Sequence, residues 1–118
     1  MKYAYIKITP NGEIKLVKKE THYFSLDELH KEVECNTIQI VKPQDTAFRD
    51  LLMVIDDDGK LKGRPVNMLG TLIYNNPLDF LVGNVIIGTS FSENITDEPD
   101  VFAMPIEIAE KLKKLLKK

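Results

Sequence analysis

The order of elements in the sequence, β-β-α-β-β-α-β-α, predicts a single α+β domain, residues 1–118, with a mixed or antiparallel sheet and about three helices. Three observations carry this. Two apolar segments of period 2 flank Pro10-Asn11-Gly12, a helix-start signature stands at Ser25, and two apolar runs, one continuous and one interrupted by glycine, occupy 51–55 and 80–88.

The first pair reads as an N-terminal β-hairpin. Ala4, Ile6 and Ile8 alternate with more polar residues, as do Ile14 and Leu16. Asn11-Gly12 between them accepts the positive φ that tight hairpin turns demand. A helix follows from Ser25-Leu26-Asp27-Glu28, a capping box in which the Ser25 hydroxyl and the Glu28 carboxylate each satisfy a free amide. Phe24 and Leu29 have staple spacing, and Leu26, Leu29 and Val33 give the inward stripe. The helix should end near Cys35-Asn36, because 37–41 then alternates as a strand.

Residues 43–50 read as a loop, and the run 51–55 as a strand buried on both faces. After a polar loop, Pro65 suits a first helical turn, with Val66, Leu69 and Ile73 inward and Asn75-Asn76-Pro77 as the stop. The run 80–88 reads as another buried strand. Its interrupting glycine marks a bulge or a close backbone approach. The acidic stretch 92–100 is expected to be an exposed connection. A last helix starts near Pro105, with Ile108, Ala109, Leu112, Leu115 and Leu116 on one face. Lysines at its end oppose the negative pole of the helix dipole.

Composition narrows the function classes. The chain is 43% hydrophobic and 29% charged, which is globular rather than disordered. A net charge of −2 gives no global attraction to nucleic acid or anionic membrane, so neither is an expected partner. The single cysteine, Cys35, excludes an internal disulfide and a multi-thiolate metal site. Met1-Lys2-Tyr3-Ala4-Tyr5 lacks an apolar signal core, and no apolar run approaches a membrane span. A soluble cytoplasmic protein is the expectation. The triplet Asn94-Ile95-Thr96 has no meaning as a glycosylation site without secretion.

Most catalytic signatures fail on specific grounds. Asp56-Asp57-Asp58-Gly59 looks like a calcium loop, but aligning Gly59 with the loop glycine puts Val54 where the first carboxylate belongs. Gly59-Lys60 lacks the upstream glycine of a phosphate-binding loop. His22, His30 and Cys35 match no zinc spacing. Nothing places an oxyanion hole or a third group beside Cys35. Adjacent aspartates before a glycine are more often a solvated turn than an acid–base pair. No catalytic residue, metal or cofactor is assigned.

The segment that invites a ligand lies just downstream. Lys60, Lys62 and Arg64 occupy alternate positions, so an extended backbone would point all three to one face. Arg64 stands beside the expected start of the Pro65 helix, where the dipole is already positive and free amides favour an anion. Asn67 would add an amide contact. Two readings stay open. Either these four residues bind a phosphate or nucleotide, or Asp56, Asp57 and Asp58 neutralise the cations in an ordinary surface network.

On Asp58-Gly59-Lys60-Leu61-Lys62-Gly63-Arg64-Pro65-Val66-Asn67 and Gly83-Asn84-Val85-Ile86-Ile87-Gly88 the chain resembles domain of unknown function family 3846. The helix at 25–34 and the strand at 38–40 fit the same layout, and the resemblance covers most of 23–92. It implies a mobile-element origin, in phages, plasmids or bacterial genomes, and carries over no catalytic residues.

The expected function is therefore a non-catalytic binding module of phage accessory type. In one version Lys60, Lys62, Arg64 and Asn67 sequester an anionic small molecule such as a nucleotide signal, interfering with host defence. In the other, an exposed sheet edge or the C-terminal helix binds a host protein. A homo-oligomer suits both. The alternative from a different class is a small hydrolase, in which Asp58, His30 or Cys35 would converge with Arg64.

Overall fold

The computed structural model describes residues 2–48, 50–90 and 101–117. β1 (Tyr3–Ile8) and β2 (Ile14–Lys19) form the expected hairpin, paired from Tyr3 opposite Lys19 to Ile8 opposite Ile14. At its turn Gly12 takes φ +89° and donates to the Thr9 carbonyl at 3.0 Å. α1 (Leu26–Val33) starts at the full capping box: Ser25 Oγ accepts from the Glu28 amide, and Glu28 accepts from the Ser25 amide. Glu34 ends it in the left-handed region, at φ 61°.

β3 (Ile38–Val41) leads through a short 3-10 turn (Thr46–Phe48) to β4 (Leu51–Asp56). α2 (Met68–Tyr74), β5 (Val85–Thr89), β6 (Met104–Pro105) and α3 (Ile106–Leu116) follow. The sheet order is β2-β1-β5-β4-β3, with β6 paired to β1, and each of these pairings is antiparallel.

Strand alternation sends apolar side chains to both faces of this sheet. Ala4, Ile6, Ile8, Met53, Ile55, Val85 and Ile87 join one core with Ile73 and Tyr74 of α2 and Ala109 and Leu112 of α3. Tyr5, Val54 and Ile86 join the other with Phe24 and with Leu29 and Val33 of α1. The domain is thus three layers, with α2 and α3 on one side and α1 on the other. The unbroken runs at β4 and β5 reflect burial on both faces.

Several boundaries differ from the sequence reading, each for a local reason. α2 begins at Met68 rather than at Pro65, because Asn67, not the proline, supplies the cap. Val66 is consequently outside the helix and forms an isolated bridge with Val82. The strand expected over 80–88 begins only at Val85, since Gly83 at φ +73° breaks it. Leu26, Ile108 and Leu115, expected inside, face solvent. β6 was not foreseen: two residues carry no periodicity. The acidic connection expected at 92–100 lies outside the described residues.

Candidate functional site

β4 ends at Asp56, and the chain turns there through a compact loop before α2. Asp56 builds that loop. Its Oδ1 accepts the Asp58 amide at 2.9 Å, and its backbone carbonyl accepts the Gly59 amide at 3.1 Å. The Lys62, Gly63 and Arg64 amides then bond the carbonyls of Asp58, Lys60 and Gly59. Residues 58–64 are therefore wound, not extended, and the three cations do not share one face.

Lys62 and Arg64 converge on one oxygen. Lys62 Nζ lies 2.9 Å and Arg64 Nε 3.1 Å from Asp56 Oδ2. Asp56 is only 4% exposed, whereas its two cations are about one-third exposed at their side chains. Burial alone would raise its carboxyl. The hydrogen bonds from Lys62, the Asp58 amide and Arg64 outweigh it and hold the group below the ordinary carboxylate range. Arg64 Nη2 also donates to the Glu34 carbonyl at the end of α1. Gly83 leaves room for this arm, because a Cβ there would sit 3.1 Å from Arg64 Cδ. Asn84 adds a bond to Glu34 Oε2 at 2.7 Å.

Lys60 diverges from this pair. Its Nζ bonds Asp79 and lies 4.4 Å over the Phe80 ring. Beside it is a hollow of about 110 Å³ lined by Gln39, Ile55, Asp57, Asp79, Phe80 and Val82, with Asp56 and Lys60. The Lys60 hydrogen bond holds the Asp79 carboxyl below its ordinary value.

Asn67 is fully buried. Its Oδ1 accepts the Gly70 amide at 2.8 Å, while Nδ2 donates to the carbonyls of Ile8 and Gly83 at 3.0 and 2.8 Å. One side chain caps α2 and ties it to β1 and to the approach to β5. The side-chain amide of Asn67, expected to add a contact to a ligand, is instead spent inside the protein.

Of the four residues singled out from sequence, the fold brings Lys62 and Arg64 together, turns Lys60 toward Asp79, and places Asn67 in the interior. Asp56, one of the three aspartates expected to neutralise the cations, does take two of them, and Asp79 is the partner that sequence reasoning missed. Asp57 and Asp58 pair with no cation among the described residues, so of the three aspartates only Asp56 neutralises Lys62 and Arg64. Its buried position at the end of an otherwise apolar strand was the signal that could have singled Asp56 out of the three. Nothing local in the sequence pointed to Asp79, which lies 19 positions from Lys60.

Other chemistry is muted. Burial pushes the Cys35 thiol up, Asp56 adds to the rise, and Lys62 and Arg64 oppose it. A raised thiol is a poor nucleophile near neutrality. His22 packs against Tyr3, Tyr23 and Phe102. Among the described residues no group of three or more His, Cys, Asp or Glu side chains could hold a metal ion, and no helix is long and apolar enough to cross a membrane.

No curated protein and no solved structure matches the chain. A family model does, and it takes in the N-terminal hairpin that the sequence motifs at 58–67 and 83–88 left out. The chain belongs to the family described as "Domain of unknown function (DUF3846)", whose model matches residues 1–115.

Proposed function

We propose that this domain is a non-catalytic binding module, an accessory protein of phage or mobile-element type, whose partner is a protein. The carrying observation is the exposure of large apolar side chains between 61 and 80. Leu61 is 89%, Met68 64%, Leu72 69% and Leu78 93% exposed, and Val66 and Phe80 are each nearly half-exposed. Met68 and Leu72 stand one turn apart on α2. A single exposed leucine is ordinary; a concentration of this kind in one segment is typical of contact surfaces. The neighbouring charges support the same reading. Lys62 and Arg64 are spent on Asp56 and Lys60 on Asp79, which leaves little field for an anion.

A photoreactive residue at position 72, in cells that express the protein, tests this. We expect one protein adduct that disappears when Leu78→Ser is added and that a probe at Lys18, on the opposite edge, does not give. The same adducts from both positions would overturn the reading.

A small anion is the second reading, favoured by Lys60 over Phe80 at the rim of the hollow. That hollow is well below the roughly 300–1,000 Å³ of drug-sized ligand sites, so it would take only a phosphate-sized group. Thermal shifts with a nucleotide panel test it, with protection expected to vanish in Lys60→Ala. Arg64→Ala does not discriminate, because it also strips a partner from buried Asp56.

A further inference from the structure

The two edges of the sheet differ in kind. β2 carries exposed Lys15 and Lys18, charges that keep an edge from pairing with another strand. β3, at the other edge, reads Ile38-Gln39-Ile40-Val41 and carries no charge at all. Its register with β4 shows which backbone groups are open. The Asp57 amide donates to the Thr37 carbonyl at 3.1 Å, and on the far side of β4 the Ser90 amide donates to the Asp50 carbonyl at 3.0 Å. Odd-numbered residues of β4 therefore bond β3, and even-numbered ones bond β5. On β3 the rungs to β4 fall at Thr37, Gln39 and Val41. Ile38 and Ile40 turn their N–H and C=O groups outward, and no described residue bonds them there.

We propose that this edge docks a second copy of the chain, β3 against β3, as a two-fold antiparallel dimer. With Gln39 on the axis, Ile38 of each copy faces Ile40 of the other, and these outward residues exchange N–H···O=C bonds in both directions. Ile40, 36% exposed in the isolated chain, then gains an apolar cross-strand neighbour. The ends match in charge. Exposed Lys42 follows β3, and exposed Asp57 lies beside Thr37 at its start; neither has an ion-pair partner among the described residues. Antiparallel pairing brings Lys42 of one copy to the 36–37 end of the other, where Asp57 lies and where Asp58 accepts the Thr37 hydroxyl at 3.3 Å. The lysine-lined β2 edge cannot repeat the contact, so assembly closes at two rather than growing into a filament. Gln39 also lines the hollow beside Phe80, so the dimer sets the two hollows next to each other. This inference stands apart from the partner reading, which rests on 61–80.

Sedimentation velocity across a concentration series, with residue-resolved amide exchange at both ends of it, tests the proposal. The wild type should dimerise, and at dimeric concentrations the Ile38 and Ile40 amides should exchange about tenfold more slowly than in the dilute monomer. Gln39 and Val41, already bonded to β4, should change little. Gln39→Lys, which sets two ammonium groups on the axis, should give a monomer with the unfolding midpoint of the dilute wild type. Lys42→Glu should weaken the dimer. A wild type that stays monomeric throughout overturns the proposal. So does a dimer whose Ile38 and Ile40 amides stay unprotected, or one indifferent to both substitutions.

Discussion

Arg64 bonds the carboxylate of Asp56 through Nε at 3.1 Å and the Glu34 carbonyl through Nη2, so one guanidinium fastens the end of β4 to the end of α1. The residue that looked most like an anion receptor thus holds an internal anion. Removing either partner should act on stability. Asp56→Ala leaves two cations facing a buried space, and breaking such a pair costs about 3 kcal/mol. Arg64→Ala leaves Asp56 with Lys62 and should cost about 1.5 to 3 kcal/mol, the value of a charge-assisted bond. Lys60→Ala breaks an exposed pair with Asp79 and should cost at most about 1 kcal/mol. Urea unfolding of the three variants checks the order.

The same pair sets an acid response. The folded Asp56 carboxyl is held down, against burial, by Lys62, the Asp58 amide and Arg64. In the unfolded chain it titrates near about 3.9, so as pH falls the unfolded state takes the proton first. The stabilisation is therefore complete above about pH 4 and is lost as pH drops through the folded value. Wild type should lose stability more steeply than Asp56→Asn as pH falls below about 4. Asp79 acts in the same direction through its Lys60 hydrogen bond, but its side chain is about one-third exposed and Lys60 is about half-exposed. Added salt should erase its share and leave that of Asp56, which separates them.

Asn67 makes a sharper case, because its amide acts at both ends. The oxygen caps the Gly70 amide, and the nitrogen donates to the Ile8 and Gly83 carbonyls, all in the interior. Asn67→Asp keeps the cap but can no longer donate, and it buries a charge against two carbonyls. We expect it to be at least as harmful as Asn67→Ala, which should cost about 2 to 3 kcal/mol for the orphaned groups. At an ordinary helix start the aspartate would be the milder change. Thermal unfolding of both variants decides between a cap alone and a cap that also ties three elements.

Particular residues show what the sequence made legible. Asn11-Gly12 and the Ser25–Glu28 box are local chemistry, and each sits where its pattern implies. The apolar runs at β4 and β5 revealed burial on both faces, though not which helix covers which face. Pro65 misled, because a proline fits a first helical turn as well as the strand-like lead-in it occupies here, and the deciding contact, Asn67 to Ile8, spans 59 positions. The cation loop failed in the same way. Alternation implies one face only if the backbone is extended, and Asp56 winds it by accepting from Asp58 and Gly59. Its other partners, Glu34 and Asp79, are remote in sequence, so no window over 56–67 contained them.

Gly88 is a position where the fold admits no side chain. A Cβ there would meet the Phe102 carbonyl oxygen at 2.5 Å and Val101 Cγ2 at 2.7 Å, because residues 101–102 pass directly against β5. Thr89 and Phe102 bond each other in both directions at this crossing. Gly88→Ala must push backbone rather than a flexible side-chain tip, so a loss of about 1 to 3 kcal/mol is expected, as for an overpacked core. Amide exchange should rise first at Thr89 and Phe102 if the strain is relieved by parting these two segments.

The exposed apolar side chains of 61–80 separate folding from contact. Met68 and Leu72 project from α2 while Ile73 and Tyr74 face the core, so the two sets answer different questions. Ile73→Ala removes buried methylenes and should cost about 2 to 5 kcal/mol. Met68→Glu with Leu72→Glu touches surface only and should stay within about 0.5 kcal/mol per site. If these leucines and methionines serve only to fill a surface that must be covered somehow, the double variant behaves as wild type in every assay. If they are the contact face, it folds normally, keeps its cooperative melt, and loses the adduct that a photoreactive residue placed at position 78 gives in the wild-type background. Chemical denaturation and cross-linking of the same preparation measure the two consequences independently, so loss of contact cannot be mistaken for loss of fold.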